Sequence, residues 1–205
     1  MESISPSQYG WLQKSLSTST SSNTNIYNTD SGSVIIQCSD GYEGAVNVLE
    51  QATAGSSNNP KQENEQQKHM VIFIDPPYKD LVRECSQVEK TVQKLLQLHT
   101  GCTIMVWIPN LPSPLDPEEY VPKLIERLKE TARQFHNNKN NDDPLHWLHA
   151  SLQVKCSKDQ RKGLLGSSMW VVNPPIGFSS NFLMSLAGLS ECLKQNCNHY
   201  QLETD

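Results

Sequence analysis

Asp75, Pro76, Pro77 and Tyr78 are the residues whose types and order could do chemistry. They lie in the stretch HMVIFIDPPYKD, His69 to Asp80, where the apolar run Met70 to Ile74 stops at a carboxylate, two prolines and an aromatic ring. Proline fixes φ and carries no N–H, so such a turn exposes carbonyls without competing donors. A carboxylate at Asp75 and the Pro76 carbonyl could together accept both hydrogens of an exocyclic amine such as adenine N6. Two acceptors pulling on those hydrogens favour a pyramidal nitrogen able to attack a methyl group on a sulfonium. Tyr78 would supply a flat face on which an extruded or unpaired base can stack. The aspartate need not be a strong base, because the nitrogen loses its proton only as the methyl arrives. Positioning carries most of the rate, and Asp75, Pro76, Pro77 and Tyr78 form the expected catalytic corner.

A second stretch, SSMWVVNPPIGF from Ser167 to Phe178, repeats the pattern with Asn173-Pro174-Pro175-Ile176. Ile176 cannot stack as an aromatic would, and the strand before Asn173 is expected to run antiparallel, its end facing away from the catalytic rim. Asn173 is therefore read as structural. The segment KCSKDQRKG crowds Lys155, Lys158, Arg161 and Lys162 into one loop, opposed only by Asp159. With a formal net charge of −5 the chain has no global field for a polyanion, so RNA contact would rest on this local patch. Taken alone, the segment also fits a solvated surface loop. Six cysteines (Cys38, Cys85, Cys102, Cys156, Cys192, Cys197) show no CxxC spacing and are expected as reduced, structural thiols. His146, His149 and Cys156 have too loose a spacing for a metal site, and no metal is expected.

The elements that must position the corner follow from periodicity. Residues 3–16 read as a short helix, with Pro6 in its first turn. Val34 to Gln37 reads as a strand that leads through Asp40-Gly41 into a helix. Met70 to Ile74, apolar at every position, reads as a parallel strand covered on both faces. From Asp80 a helical stripe of Leu81, Val82, Cys85, Val88, Val92, Leu95 and Leu96 runs to Gly101. CTIMVWIP is a strand stopped by Pro109, and PEEYVPKLIERLKETARQF is a helix. WLHASLQVKC and SSMWVVN are strands flanking the basic loop, and NFLMSLAGLSECLKQN is a closing helix. Polar insertions occupy about 17–33, 53–68 and 136–144. The alternation implies an α/β sheet with an antiparallel edge, in one domain over 1–205. Ligands gather at the carboxyl ends of such strands, where Asp40, Asp75 and Trp107-Ile108-Pro109 are placed. The N-terminus lacks a signal or transit pattern, and no apolar run reaches membrane-spanning length. A soluble, cytoplasmic protein is expected, organellar if a further N-terminal segment exists.

The stretches SPSQYGWLQKSL, VIIQCSDGYEGAVNVL, VIFIDPPY, IMVWIP and GLLGSSMWVVNPPIGF together resemble the RlmJ-type 23S rRNA adenine-N6 methyltransferases, a branch of the class I, S-adenosylmethionine-dependent enzymes. The resemblance covers nearly the whole chain apart from the insertions. DPPY with GSxMxVxNPP downstream is specific, whereas DPPY alone also fits DNA adenine methylases. The resemblance implies a Rossmann-like sheet, S-adenosylmethionine as cofactor, rRNA as partner and a monomer. It makes Asp75 the catalytic residue at the amine, bordering the cofactor, with Asp40 and Gly41 binding the cofactor. The family's acidic residue for the cofactor ribose falls at Ser3, one residue from Glu2, so that role is not carried over. The family's first strand and its GxGxG turn have no counterpart, and the chain reads as the C-terminal part of such an enzyme. Val71 to Ile74 would then have an unpaired apolar edge. The alternative reading is a non-catalytic RNA-binding or interaction protein that kept the scaffold and lost the cofactor pocket.

Overall fold

The computed structural model describes residues 24–29, 32–37, 39–54, 70–137, 145–154, 163–193 and 199–204. The expected helix at 3–16 and the loop cations Lys155, Lys158, Arg161 and Lys162 lie outside these residues. The chain divides into two compact units, 1–44 and 45–205.

In the first unit, β1 (Thr24–Thr29) pairs antiparallel with β2 (Gly32–Gln37), with Thr24 opposite Gln37 and Thr29 opposite Gly32. The expected loop at 17–33 thus contains a strand. β2 is also not a member of the main sheet, as its lead into a helix had suggested; its ladder partner is the polar strand beside it. Asp40 then opens α1 (Gly41–Ala54).

In the second unit, Val46 and Leu49 of α1 are buried, and Glu50 lies 3.7 Å from Lys94 of α2 (Leu81–Leu98). The sheet holds β3 (Val71–Ile74), β4 (Thr103–Asn110), β5 (Trp147–Gln153), β6 (Gly166–Val172) and β7 (His199–Thr204) in the order β3-β4-β6-β5-β7. β3 and β4 are parallel, and the remaining neighbours are antiparallel. The crossover through α2 permits the parallel pair, whereas β5 and β6 follow each other as adjacent antiparallel strands. The antiparallel strand β6 therefore lies inside the sheet rather than at its edge. The edge is β7, formed by residues beyond the helix expected to close the chain.

Register sorts the core. Ile72 and Ile74 stand level with Ile104 and Val106, and these with Val172 and Trp170, so they share one face. Along that face Ile104, Val106, Ile108, Trp170 and Val172 are fully buried. α2 and α3 (Tyr120–Asn137) pack together, with Cys85, Val88, Val92, Leu95, Leu96, Leu124 and Leu128 buried. Each such side chain contributes roughly 1.5–3 kcal/mol of burial. Val82, expected in the stripe, is exposed, because it lies off the arc that buries Cys85, Val88 and Val92. On the other face α4 (Phe178–Cys192) packs against β5 and β7, and Leu148, Ala150 and Val171 are buried.

Two expectations for strands are corrected. β3 is not covered on both faces: Val71 is 61% exposed and Phe73 is 55% exposed. Among the described residues β3 is an outer strand, and its second face lacks a helix like that over β5 and β7. Pro109 does not stop β4, which continues to Asn110, where the carbonyl accepts the Leu165 N–H at 2.9 Å.

Gly166 is the glycine that close approach demands. A Cβ there would lie 2.0 Å from the Leu152 carbonyl oxygen, so no larger residue fits between β5 and the start of β6.

Candidate functional site

Asp75 follows β3 directly and is exposed; Pro76 is buried and Pro77 exposed. Since Ile74 pairs with Val106, Asp75 comes level with Trp107 on β4. Strand alternation gives Asp75 the same side as Phe73, and Trp107 the same side as Met105. Six residues lie between β3 and α2. The last, Asp80, caps α2: its carboxylate accepts the Arg83 N–H at 3.2 Å and its carbonyl the Glu84 N–H at 2.9 Å. The corner is consequently held at both ends, by the β3–β4 ladder and by a helix cap.

Tyr78 is half-buried and has φ of 48°, in the left-handed region. A bulky residue there costs roughly 1–3 kcal/mol and persists where its surroundings over-determine it. Its hydroxyl donates to the Trp107 carbonyl at 3.0 Å, and its ring lies 6.1 Å from the Trp107 ring at 53°. Sequence reasoning placed Trp107, Ile108 and Pro109 together on the rim. The structure buries Ile108 and Pro109 and leaves Trp107 half-exposed beside Tyr78. Its grip on Tyr78 had no sequence signal, since it acts through a backbone carbonyl 29 positions away.

Asn173 lies at the opposite end of the sheet. Its amide donates to the Thr100 and Cys102 carbonyls, the latter at 3.0 Å, and its carbonyl accepts from the Thr103 hydroxyl at 2.7 Å. These bonds tie the end of β6 to the start of β4. Ile176 points to solvent.

Asp40 lies in the first unit and is exposed. Its Oδ1 accepts the N–H groups of Tyr42 (2.9 Å) and Glu43 (3.2 Å), so it caps α1. A Cβ at Gly41 would meet nothing within 4 Å, so no close neighbour demands a glycine there. Asp40 thus serves as the start of a helix, with Gly41 as its first residue.

His149, considered with His146 and Cys156 as a metal cluster, faces another group. Glu203 of β7 stands opposite it, with 3.7 Å between carboxylate and imidazole. Lys129 of α3 reaches the same carboxylate at 2.6 Å, Glu126 at 2.8 Å, and lies 5.4 Å from the Trp147 ring centre. Burial pushes His149 below its ordinary value, outweighing the pull of Glu203. The Lys129 hydrogen bond holds Glu203 below its own. Among the described residues no cluster of His, Cys, Asp and Glu is arranged to hold a metal; Cys156 lies outside them. Burial pushes the thiols of Cys85 and Cys102 up to about 11, in keeping with structural cysteines, while Cys192 is exposed.

No family model matches the sequence, and no curated protein matches it. The sheet and helices decide the comparison instead. The chain shares its fold with a solved bacterial protein. That structure is a Legionella pneumophila protein bearing the family designation DUF519, matched with a TM-score of 0.55 and 18% identity. The match covers 78% of this chain and 48% of that one, so the chain spans about half the length of the structure it matches. Among the described residues no helix is long and apolar enough to cross a membrane.

Proposed function

We propose that this chain carries the amine-binding corner of an S-adenosylmethionine-dependent adenine-N6 methyltransferase of the RlmJ type, acting on large-subunit rRNA. The observation that carries the reading is Asp75-Pro76-Pro77-Tyr78 at the carboxyl end of a parallel strand, with the tyrosine tied to Trp107. Asp75 and the Pro76 carbonyl accept the two amine hydrogens, leaving the nitrogen lone pair free to meet an electrophilic methyl carbon. Tyr78 orients the base. Position rather than basicity then supplies the main acceleration.

The rim supports the reading in a second way. β5 runs in the same direction as β3 and β4, so its carboxyl end lies on the edge that carries Asp75. The chain leaves that edge at Val154 and returns at Gly163, and Lys155, Lys158, Arg161 and Lys162 fall between. Four cations so close in sequence to two rim positions suit phosphates flanking a target base.

A second reading, an RNA-binding remnant without catalysis, is favoured by the engagement of the Asp40 carboxylate in capping α1. Transfer of labelled methyl from S-adenosylmethionine to protein-free large-subunit rRNA separates them. Label recovered as N6-methyladenosine, and lost in Asp75→Ala, supports the enzyme. RNA binding with no label, and no heat on titration with S-adenosylmethionine, rules out activity of these 205 residues on their own and favours the remnant. Label in duplex DNA but not in rRNA moves the assignment to a DNA adenine methylase.

A further inference from the structure

The β3–β4 ladder stops with Ile74 opposite Val106, and the next carbonyl on β4 is that of Trp107. Backbone carbonyls need a partner where a ladder ends. Here the Tyr78 hydroxyl provides it, at 3.0 Å. The same tyrosine rests its ring on the Trp107 indole, at a separation and tilt within the attractive range of aromatic pairs. Its backbone is left-handed, a conformation that the two anchors hold in place. Because the hydroxyl is committed to a carbonyl, the ring's contribution is its surface rather than proton transfer.

From this geometry we infer that Trp107 is a positioning residue, holding Tyr78 as a pre-ordered platform for a nucleobase through its carbonyl and its indole. A ring already fixed loses little freedom when a base stacks on it, which is the gain from preorganisation. The identification of the base as adenine rests on the function proposed above; the platform itself rests only on the Tyr78–Trp107 geometry.

The test measures binding of the full 205-residue chain to two short RNA oligonucleotides, alike except that one carries an adenine and the other an abasic site at a single unpaired position. The ratio of the two affinities isolates base stacking from backbone contact. The wild type is expected to prefer the adenine-bearing RNA by about fivefold or more, as one base on one aromatic ring provides. Trp107→Leu and Tyr78→Phe should each bring that ratio toward one, and Trp107→Phe, which keeps a ring and the carbonyl, should restore most of it. A smaller folded fraction would lower both affinities by the same factor and leave the ratio unchanged, and circular dichroism of each variant excludes complete unfolding. The inference is overturned if the wild type shows no preference, or if Trp107→Leu retains it. A Trp107-dependent preference without methyl transfer upholds the platform and removes the enzymatic reading.

Discussion

The Tyr78 hydroxyl donates to the carbonyl of Trp107 at 3.0 Å, one residue past the last paired rung between β3 and β4. One side chain thereby ends a sheet ladder and orients the corner after Asp75. Tyr78→Phe deletes this bond and is expected to lower unfolding stability by about 1 kcal/mol, with more lost if the Trp107 carbonyl stays dry. Urea denaturation followed by circular dichroism measures it.

Asp75 is exposed, so replacing it should spare the fold while removing the proposed amine acceptor. Asp75→Ala is expected to reduce methyl transfer by about 100-fold or more, with a melting temperature close to that of the wild type. Single-turnover transfer of labelled methyl, paired with calorimetry, distinguishes a chemical role from a structural one. Wild-type rates in the variant would remove Asp75 from the reaction.

Gly166 leaves no room for a Cβ, with Leu152 backbone in the way. Gly166→Ala should cost roughly 3 kcal/mol, at the upper end for an overpacked site, because a backbone carbonyl gives way less readily than a side chain. Soluble yield and thermal melting of the variant report the effect.

The Lys129–Glu203–His149 group makes stability depend on pH. His149 is depressed below its ordinary 6.5 by burial, so the unfolded chain takes up its proton first. Its contribution is complete above that value and falls away on acidification through the folded value. Glu203, depressed below its ordinary 4.5 by Lys129, adds stability that is complete above 4.5 and lost as pH falls through its folded value. Melting temperature should therefore decline in two stages on acidification. His149→Phe should remove the upper stage and leave the lower, as thermal scans across this range would show.

Val71 and Phe73 present apolar surface on a strand that is outermost among the described residues. Phe73→Lys should reduce self-association, since a charge on an edge strand opposes edge-to-edge pairing. Sedimentation velocity at rising concentration provides the measure: a shift toward monomer with an unchanged melting temperature is expected.

Much of the second unit was legible in residue order. The stripe from Cys85 to Leu96, the helix start at Asp80 and the apolar runs of β3, β4 and β6 are local signals, each carried by neighbours within one or two turns. β1 was missed because Thr24 to Thr29 is a polar segment whose strand character comes from pairing with β2 rather than from its own composition. Pro109 was read as a stop, yet β4 continues through it to Asn110.

Composition and spacing were enough to place the Asp75 to Tyr78 turn directly after a strand and to separate it from Asn173, because prolines and aromatics act over a few residues; the same pattern misread Val71 to Ile74 as covered on both faces. Tertiary structure alone decided that β6 inserts between β4 and β5, that Val71 and Phe73 stay more than half exposed, that Gly166 must be glycine and that the Tyr78 hydroxyl reaches the Trp107 carbonyl. Each of those depends on which distant backbone comes within a few ångströms. Such proximity is a property of the assembled sheet, and no short window of sequence encodes it.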